Sequence, residues 1–290
     1  MRKVFQEVTS RLIDSHLNLH LLLGDIGVHG FSEIMNKHPN RILNLGILEQ
    51  AMVGFAAGLA SRGAIPIVHS IAPFIVERPL EQIKLDFGYQ GLPGKFVSVG
   101  ASFDYAKLGA THHCPADVEI FLSIPGAEVW VPAGNRDLES VLEVELPKLS
   151  LSYFRLTELG SEIEIRHVNG IAKVRHGFKG ICVAIGPTID DVLRATEGLD
   201  LSVISWTGLH NGPELIGSLQ SELSRNVIVI EPFYQGGTAS TFACLAHDFF
   251  VRHIGIPREY IHRYGSPTEL KEFVGMDEQS LREKILSYTS

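Results

Sequence analysis

Short apolar runs alternate with segments of helical periodicity along most of this sequence, and this alternation constrains the fold more than any other feature. The run at 19–23 (LHLLL) predicts a strand, and the run at 41–45 (RILNL) predicts a second one. Between positions 48 and 60 the apolar residues recur three and four positions apart, which is typical of a helix. Strands that alternate with helices form a parallel sheet covered on both faces.

The same alternation continues along the chain with one interruption. Further strands are predicted at 65–68, 96–99, 128–131, 181–185, 201–205 and 227–230. Helices are predicted at 78–87, 116–124, 135–145, 212–224, 238–252 and 278–287, with another from Asp190. The segment 146–180 breaks the rhythm, so we place a crossover between domains there. We therefore predict an α/β fold with two doubly wound domains, 1–165 and 166–290, each a mainly parallel sheet with helices on both faces.

Charge and composition exclude several classes of protein. A formal net charge of −8 argues against a partner such as nucleic acid, which needs a basic field. No apolar run approaches the roughly 20 residues of a membrane span. The N-terminus is too polar for a signal peptide, and three distant cysteines (Cys114, Cys182 and Cys244) predict no disulfide framework. These features predict a cytoplasmic protein that binds neither nucleic acid nor membrane.

Three single residues each have two interpretations. Glu49 lies between a strand and a nearly all-apolar helix, where the helix dipole favours any carboxylate. It can be a simple helix-start residue or a buried carboxylate that shares a proton with a ligand, and spacing does not decide. Phe74 can be a core residue or a platform for a ring ligand. Arg155 can pair with an acid or bind an anion.

Polar segments follow several predicted strands, at the edge where open parallel sheets bind ligands. They are Gly24-Asp25, the stretch 44–50 and the stretch 100–114, and none is a P-loop or a GxGxxG fingerprint. The last one contains the run THHC at 111–114. Adjacent histidines on an extended chain point to opposite sides, which disfavours a metal site and favours substrate contacts or acid–base roles. No metal ligand is predicted in this chain.

Several stretches, in order along the chain, resemble the C-terminal half of transketolase-type thiamine diphosphate enzymes. They are NLGILEQAMVGFAAGLASRG, PIVHSIAPF, ERPLEQIKLD, GATHH, SIPGAEVWVPAGNRDLE, VIVIEPFYQGG and YGSPTELKEFVGMDEQSLREKI. The match covers nearly the whole chain. Residues 1–150 resemble the pyrimidine-binding domain of this family, and residues 180–290 resemble its C-terminal domain.

The resemblance implies a cofactor site. Glu49 is then the residue that hydrogen-bonds N1′ of the aminopyrimidine and favours the imino tautomer, whose nitrogen takes the thiazolium proton. Phe74 matches the aromatic residue that stacks on the pyrimidine. Asp25 and Ile71 are expected to line the same pocket, and His112 matches a catalytic, substrate-channel histidine.

The sequence departs from the family before the GATHH motif. Transketolases have a histidine and then an acidic pair there, where this chain has Gly100, Lys107 and Leu108. Because those groups normally recognise sugar hydroxyls and phosphate, Lys107 and His113 are expected to recognise a different anion or hydroxyl pattern. Arg155 lies near the position at which many relatives bind a substrate phosphate.

The family's Gly-Asp-Gly…Asn motif, which holds magnesium and the diphosphate, is not matched by Gly24–Gly27. The resemblance therefore implies an N-terminal, diphosphate-binding partner subunit that carries the Mg²⁺ ligands, and an α2β2 heterotetramer is the simplest closed assembly. The implied function is transfer of a two-carbon ketol unit from a ketose to an aldose, as sugars or sugar phosphates, through a thiamine diphosphate carbanion. The alternatives are the β subunit of a 2-oxo acid dehydrogenase E1, a deoxyxylulose-phosphate-synthase-like enzyme and a non-catalytic regulatory paralogue.

Overall fold

Six parallel strands form the first sheet of the computed structural model, which describes residues 1–243 and 248–289. The strands are β1 (Leu19–Leu23), β2 (Ile42–Asn44), β3 (Ile65–Ile71), β4 (Gly94–Val99), β5 (Glu128–Trp130) and β6 (Leu151–Arg155). They lie in the order β2-β1-β3-β4-β6-β5. The order therefore reverses between β1 and β3, which is the switch point where open sheets of this kind bind ligands.

Helices cover both faces of this sheet. They are α1 (Arg2–Ser15), α2 (Ser32–Lys37), α3 (Glu49–Ala60), α4 (Leu80–Gln82), α5 (Asp117–Leu122) and α6 (Asn135–Glu145). The buried side of α3 packs in one apolar cluster with Val68 and Phe96, while α1 and α6 pack in a second cluster on the other face. Two π-helical segments, Pro73–Glu77 and Ile83–Tyr89, flank α4. Such segments recur at functional sites, and the first one follows β3 after the single residue Ala72.

The second sheet has five strands, and one of its two edge strands runs antiparallel to its neighbour. They are β7 (Ile171–Arg175), β8 (Ile181–Ile185), β9 (Ser202–Trp206), β10 (Asn226–Tyr234) and β11 (Phe250–Ile256), in the order β11-β10-β8-β9-β7. Strand β7 pairs with β9 in the antiparallel sense. The helices of this part are α7 (Ile189–Ala195), α8 (Gly212–Gln220), α9 (Ala239–Phe242), α10 (Pro267–Phe273) and α11 (Glu278–Thr289).

Backbone hydrogen bonds join the two sheets. The Val131 N–H donates to the Thr207 carbonyl at 2.7 Å, and the Leu209 N–H donates to the Val129 carbonyl at 2.8 Å. The chain around β5 therefore pairs with the segment after β9, in addition to the side-chain packing between the domains.

The predicted fold class, an α/β chain with two mainly parallel sheets, is confirmed. The predicted helix at 238–252 was wrong at its end, because 250–256 forms β11. There apolar residues at 254 and 256 turn inward while Phe250 and Arg252 stay outside the core. Residues 244–247 of that prediction, with Cys244, lie outside the described residues. The edge strand β7 was missed because its mixed polar sequence lies in the predicted crossover, which also contains the predicted boundary at 165/166.

In the part of the chain that the structure describes, no helix combines the length and the apolar character needed to cross a bilayer. Cys114 and Cys182 are buried free thiols.

Candidate active site

Three of the predicted cofactor residues lie at neighbouring strand ends. Asp25 follows β1, Glu49 opens the helix after β2, and Ile71 ends β3. The register pairs Leu23 with Asn44 on one side and with His69 on the other, so these ends are level. The strand order thus brings Asp25, Glu49 and Ile71 to the switch point of the first sheet.

Asp25 joins the loops that follow β1 and β2. Its backbone N–H donates to Asn44 Oδ1 at 3.0 Å, and Asn44 Nδ2 donates back to Asp25 Oδ1 at 2.9 Å. Asp25 has a φ of 64°, a left-handed conformation that aspartate tolerates because its side chain can hydrogen-bond locally. The Gly46 N–H also donates to Asn44 Oδ1, at 3.2 Å. Asp25 therefore fixes the loop that leads to Glu49.

Glu49 is the first residue of α3, and its side chain is only 2% exposed. Its Oε2 accepts a hydrogen bond from Arg78 Nη1 at 2.6 Å. This burial is unlike that of a simple helix-start carboxylate, which faces solvent. The side chain of Arg78, by contrast, is 41% exposed.

Phe74 lies between the Glu49 pair and His112. The Arg78 Cζ lies 4.3 Å from the centroid of the Phe74 ring, which is a cation–π contact. The Phe74 ring also meets the His112 ring edge to face, with 5.2 Å between centroids. The Thr111 hydroxyl lies 2.9 Å from His112 Nδ1. Phe74 thus connects a buried carboxylate to a half-buried imidazole.

The two adjacent histidines point into different surroundings, as the sequence predicts. His113 is buried against Phe103, with 5.0 Å between ring centroids, and its Nε2 has no partner among the described residues. Burial lowers the pKa of His113. Lys107 is exposed on the short 3₁₀ segment Ala106–Thr111 that leads to the histidines.

Ile71 is buried below the loop that follows β4. A Cβ added to Gly100 would lie 3.2 Å from Ile71 Cγ2. Ile71 therefore packs against Gly100 at the start of that loop.

Arg155 is buried at 2% exposure, and its guanidinium is held by internal partners. Its Nε donates to Asp117 Oδ2 at 2.7 Å, and its Nη2 donates to Ser102 Oγ at 2.5 Å and to the Pro232 carbonyl at 3.3 Å. The Tyr153 hydroxyl donates to the same Asp117 oxygen. Of the two interpretations of Arg155, the structure displays pairing with an acid.

Sequence reasoning missed Arg78 as a site residue. It was quoted within the motif ERPLEQIKLD, and its contact with Glu49 spans 29 positions, so no local pattern pointed to it. Among the described residues no group of three or more His, Cys, Asp or Glu side chains could hold a metal ion.

Comparison with known proteins places the chain in a family. Residues 1–159 match the family described as the transketolase pyrimidine binding domain. The chain is 32% identical to an uncharacterised 33.6 kDa protein in the fasciation locus of Rhodococcoides fascians, over 99% of this chain and 94% of that protein. It is 28% identical to one subunit of the apulose-4-phosphate transketolase of Actinobacillus succinogenes, over 82% of this chain and 75% of that protein.

A solved structure has the same fold. A split-gene transketolase described as an inactive beta4 tetramer matches with a TM-score of 0.85, over 100% of this chain and 99% of that chain, at 24% identity. This likeness extends through both sheets. The chain therefore belongs to the transketolase family of thiamine diphosphate enzymes, and it corresponds to the C-terminal subunit of the split enzymes of that family.

Proposed function

We propose that this chain is the pyrimidine-binding subunit of a two-subunit transketolase, which moves a two-carbon ketol unit from a ketose to an aldose. The observation that carries the proposal is the buried carboxylate of Glu49, joined through Arg78 to the ring of Phe74, at the switch point of a parallel sheet. An exposed carboxylate alone, or a buried aromatic ring alone, would not distinguish this site from ordinary protein surface or core.

Glu49 and Phe74 fit the aminopyrimidine of thiamine diphosphate. A buried carboxylate can share a proton with a ring nitrogen, and a flat aromatic face can orient the ring. When bound, the cofactor supplies an electron sink at its thiazolium ring. In this proposal Glu49 holds the proton at N1′, Phe74 orients the pyrimidine and Ile71 excludes water from below. Asp25 acts through Asn44, because it holds the loop before Glu49.

His112 is the proposed substrate contact. Thr111 engages Nδ1 of its ring, which leaves Nε2 for a substrate oxygen. Lys107 is exposed near the same segment, so we assign it to an anionic group of the substrate. His113 is buried behind Phe103 and is assigned to the support of this loop instead. Arg155 is left out of the proposed substrate site because its donors are engaged by Asp117, Ser102 and Pro232.

The proposed partner is an N-terminal subunit that binds the diphosphate and provides the Mg²⁺ ligands, in an α2β2 heterotetramer. Large apolar side chains next to Glu49 support a covering chain, since Ile47 is 67% exposed and Leu48 is 62% exposed. Phe55 adds a third exposed apolar side chain on the outer side of α3. Large apolar side chains exposed close together in sequence in this way favour an interface.

Native mass spectrometry tests the proposal. The tagged chain is purified from its own cells with magnesium and thiamine diphosphate present. The expected result is a complex that holds a second chain and the cofactor. A homo-oligomer without partner or cofactor would contradict the proposal and favour a non-catalytic paralogue.

Assays of the purified complex then test the reaction itself. Turnover of ketose donors with aldose acceptors is expected. Turnover of pyruvate instead would favour the synthase-like or dehydrogenase alternative.

A further inference from the structure

Arg78 touches both of the groups that the proposed function assigns to the cofactor's pyrimidine. Its guanidinium donates to the buried Glu49 oxygen at 2.6 Å, and its Cζ lies 4.3 Å from the Phe74 centroid. Among the described residues, Arg78 supplies the one hydrogen bond that the Glu49 carboxylate accepts. A single surface side chain thus holds the carboxylate and the ring face at the same time.

A guanidinium and an aminopyrimidine are chemically alike in this setting. Both are flat and both stack on aromatic faces, and a pyrimidine protonated at N1′ donates an N–H to a carboxylate as a guanidinium does. The His112 ring also contacts the Phe74 ring, with 5.2 Å between centroids. A pyrimidine that binds Glu49 and stacks on Phe74 therefore competes with Arg78 for the same oxygen and the same ring.

We propose that Arg78 is an internal surrogate for the aminopyrimidine, which occupies the Glu49–Phe74 subsite and must be displaced when a pyrimidine binds. This inference rests on the proposed function of the site. It adds Arg78 to the residues that set the affinity for the cofactor. It also predicts that, on binding, the planar pyrimidine replaces the planar guanidinium at Glu49.

The position of Arg78 allows such a displacement. Its side chain is 41% exposed, so the guanidinium can move into solvent while the pyrimidine takes its place at the buried Glu49 oxygen. Its backbone stays anchored, because Gln50 Nε2 donates to the Arg78 carbonyl at 3.3 Å and the Arg78 N–H donates to the Pro73 carbonyl at 3.2 Å. The side chain can therefore leave while the π-helical segment Pro73–Glu77 keeps Phe74 in place.

The surrogate has a consequence for the chain without its partner. A carboxylate and an aromatic face that lie open at an interface would bind any flat cationic ligand. Arg78 covers both groups until a ligand that is also held elsewhere, such as a cofactor anchored through its diphosphate, competes with it. Arg78 therefore weakens the binding of every pyrimidine by the same factor, so a fragment held by this subsite alone binds weakly while a cofactor that is also anchored through its diphosphate still binds.

Calorimetric titration of the full chain with 4-amino-5-hydroxymethyl-2-methylpyrimidine tests this inference. The Arg78→Ala chain is expected to bind this probe on the order of tenfold more tightly than the wild type, because one ion pair and one cation–π contact no longer compete. Arg62→Ala, which removes an exposed arginine just after α3, is the charge-matched control and is expected to bind like the wild type. Glu49→Gln is expected to weaken binding in either background.

A second readout does not depend on affinity. The side-chain NMR signal of Arg78 Nε–H is expected to shift in Glu49→Gln, and to shift in the same direction when the probe is added to the wild type. An Arg78 signal that shifts neither in Glu49→Gln nor on addition of the probe would contradict the surrogate.

The outcomes separate the two proposals. Equal probe affinity in wild type and Arg78→Ala, with weaker binding in Glu49→Gln, overturns the surrogate and leaves the proposed function standing. Probe binding that is indifferent to Glu49→Gln, or that is missing from every variant, overturns the pyrimidine site and the surrogate together.

Discussion

The ring of Tyr105 fills the space directly above the α-carbon of Gly100. A Cβ at position 100 would lie 2.3 Å from a Tyr105 ring carbon, far closer than any real contact. Gly100 also has a φ of 78°, a conformation that side chains other than glycine rarely adopt. Both the backbone conformation and the neighbouring Tyr105 ring therefore favour glycine at position 100.

Replacement of Gly100 by alanine is expected to destabilise the chain through both effects. The left-handed backbone costs about 1–2 kcal/mol, and the clash with Tyr105 adds about 1–3 kcal/mol. Gly63→Ala is the matched control, because Gly63 has a φ of 91° with open space around it. Urea unfolding of both variants separates the two costs. Equal losses in the two variants would show that the loop can move Tyr105 aside.

Glu49→Gln is expected to reduce turnover of the complete complex by about a hundredfold to ten-thousandfold, the usual contribution of a positioned acid or base. The amide keeps the size of the side chain but cannot share an acidic proton. Steady-state kinetics with saturating cofactor measure the effect. Glu33→Gln, the same substitution at an exposed position of α2, is the control and is expected to leave turnover unchanged. Turnover near the wild-type rate in Glu49→Gln would remove Glu49 from the mechanism.

Arg155→Met is expected to destabilise the chain by about 3–5 kcal/mol, because it leaves Asp117 as a buried carboxylate without its cation. Chemical unfolding measures the loss. The exposed pair of Arg258 and Glu119 provides the control, since Arg258→Met is expected to cost at most about 1 kcal/mol. A large rise in KM for phosphorylated substrates without loss of stability would instead support the substrate role that the family resemblance implies.

Acid is expected to destabilise the chain through His69. Burial lowers the pKa of His69 to about 4, while the unfolded side chain titrates near 6.5. As the pH falls from about 6.5 to about 4, the unfolded chain takes up a proton that the folded chain does not, so stability falls by up to about 3 kcal/mol over this range. The full contribution is present above pH 6.5.

Unfolding at pH 7.5 and pH 4.5, in wild type and His69→Phe, measures this contribution. The variant removes the titrating group, although it also loses the hydrogen bond between Nδ1 and the Val97 carbonyl. The difference in stability between the two pH values is expected to be smaller in His69→Phe. Asp104, whose pKa burial raises to about 6, acts in the opposite direction in both chains and cancels in the comparison. An equal difference in the two chains would exclude His69 as the source.

The local pattern of apolar residues was sufficient to predict the bounds of some strands and helices. Strands β1 and β8 and helix α6 have the bounds that periodicity predicts, because their apolar residues repeat at one clear spacing. Strand β11 was missed because an apolar run beside a helical pattern has no distinct period of its own. Its identity depends on pairing with β10, which the sequence does not display.

The features of the candidate site also divide into those that the sequence could predict and those that it could not. Glu49 and Phe74 could be named from the family resemblance, because their motifs are contiguous in sequence. The burial of Glu49 and its contact with Arg78 could not be predicted, because they arise when the turn after β3 folds back over the start of α3. The internal partners of Arg155 come from 38 to 77 positions away, so its place in the core was equally hidden.

The backbone hydrogen bonds between the chain around β5 and the segment after β9 also bear on how the molecule comes apart. Val131, Thr207, Leu209 and Val129 make two main-chain bonds across the domain boundary, and Arg155 adds a side-chain bond to Pro232. If either domain unfolds, the donors or acceptors that these bonds pair in the other domain lose their partners. Heating is therefore expected to produce one calorimetric transition with equal calorimetric and van't Hoff enthalpies, so the two domains behave as a single cooperative unit.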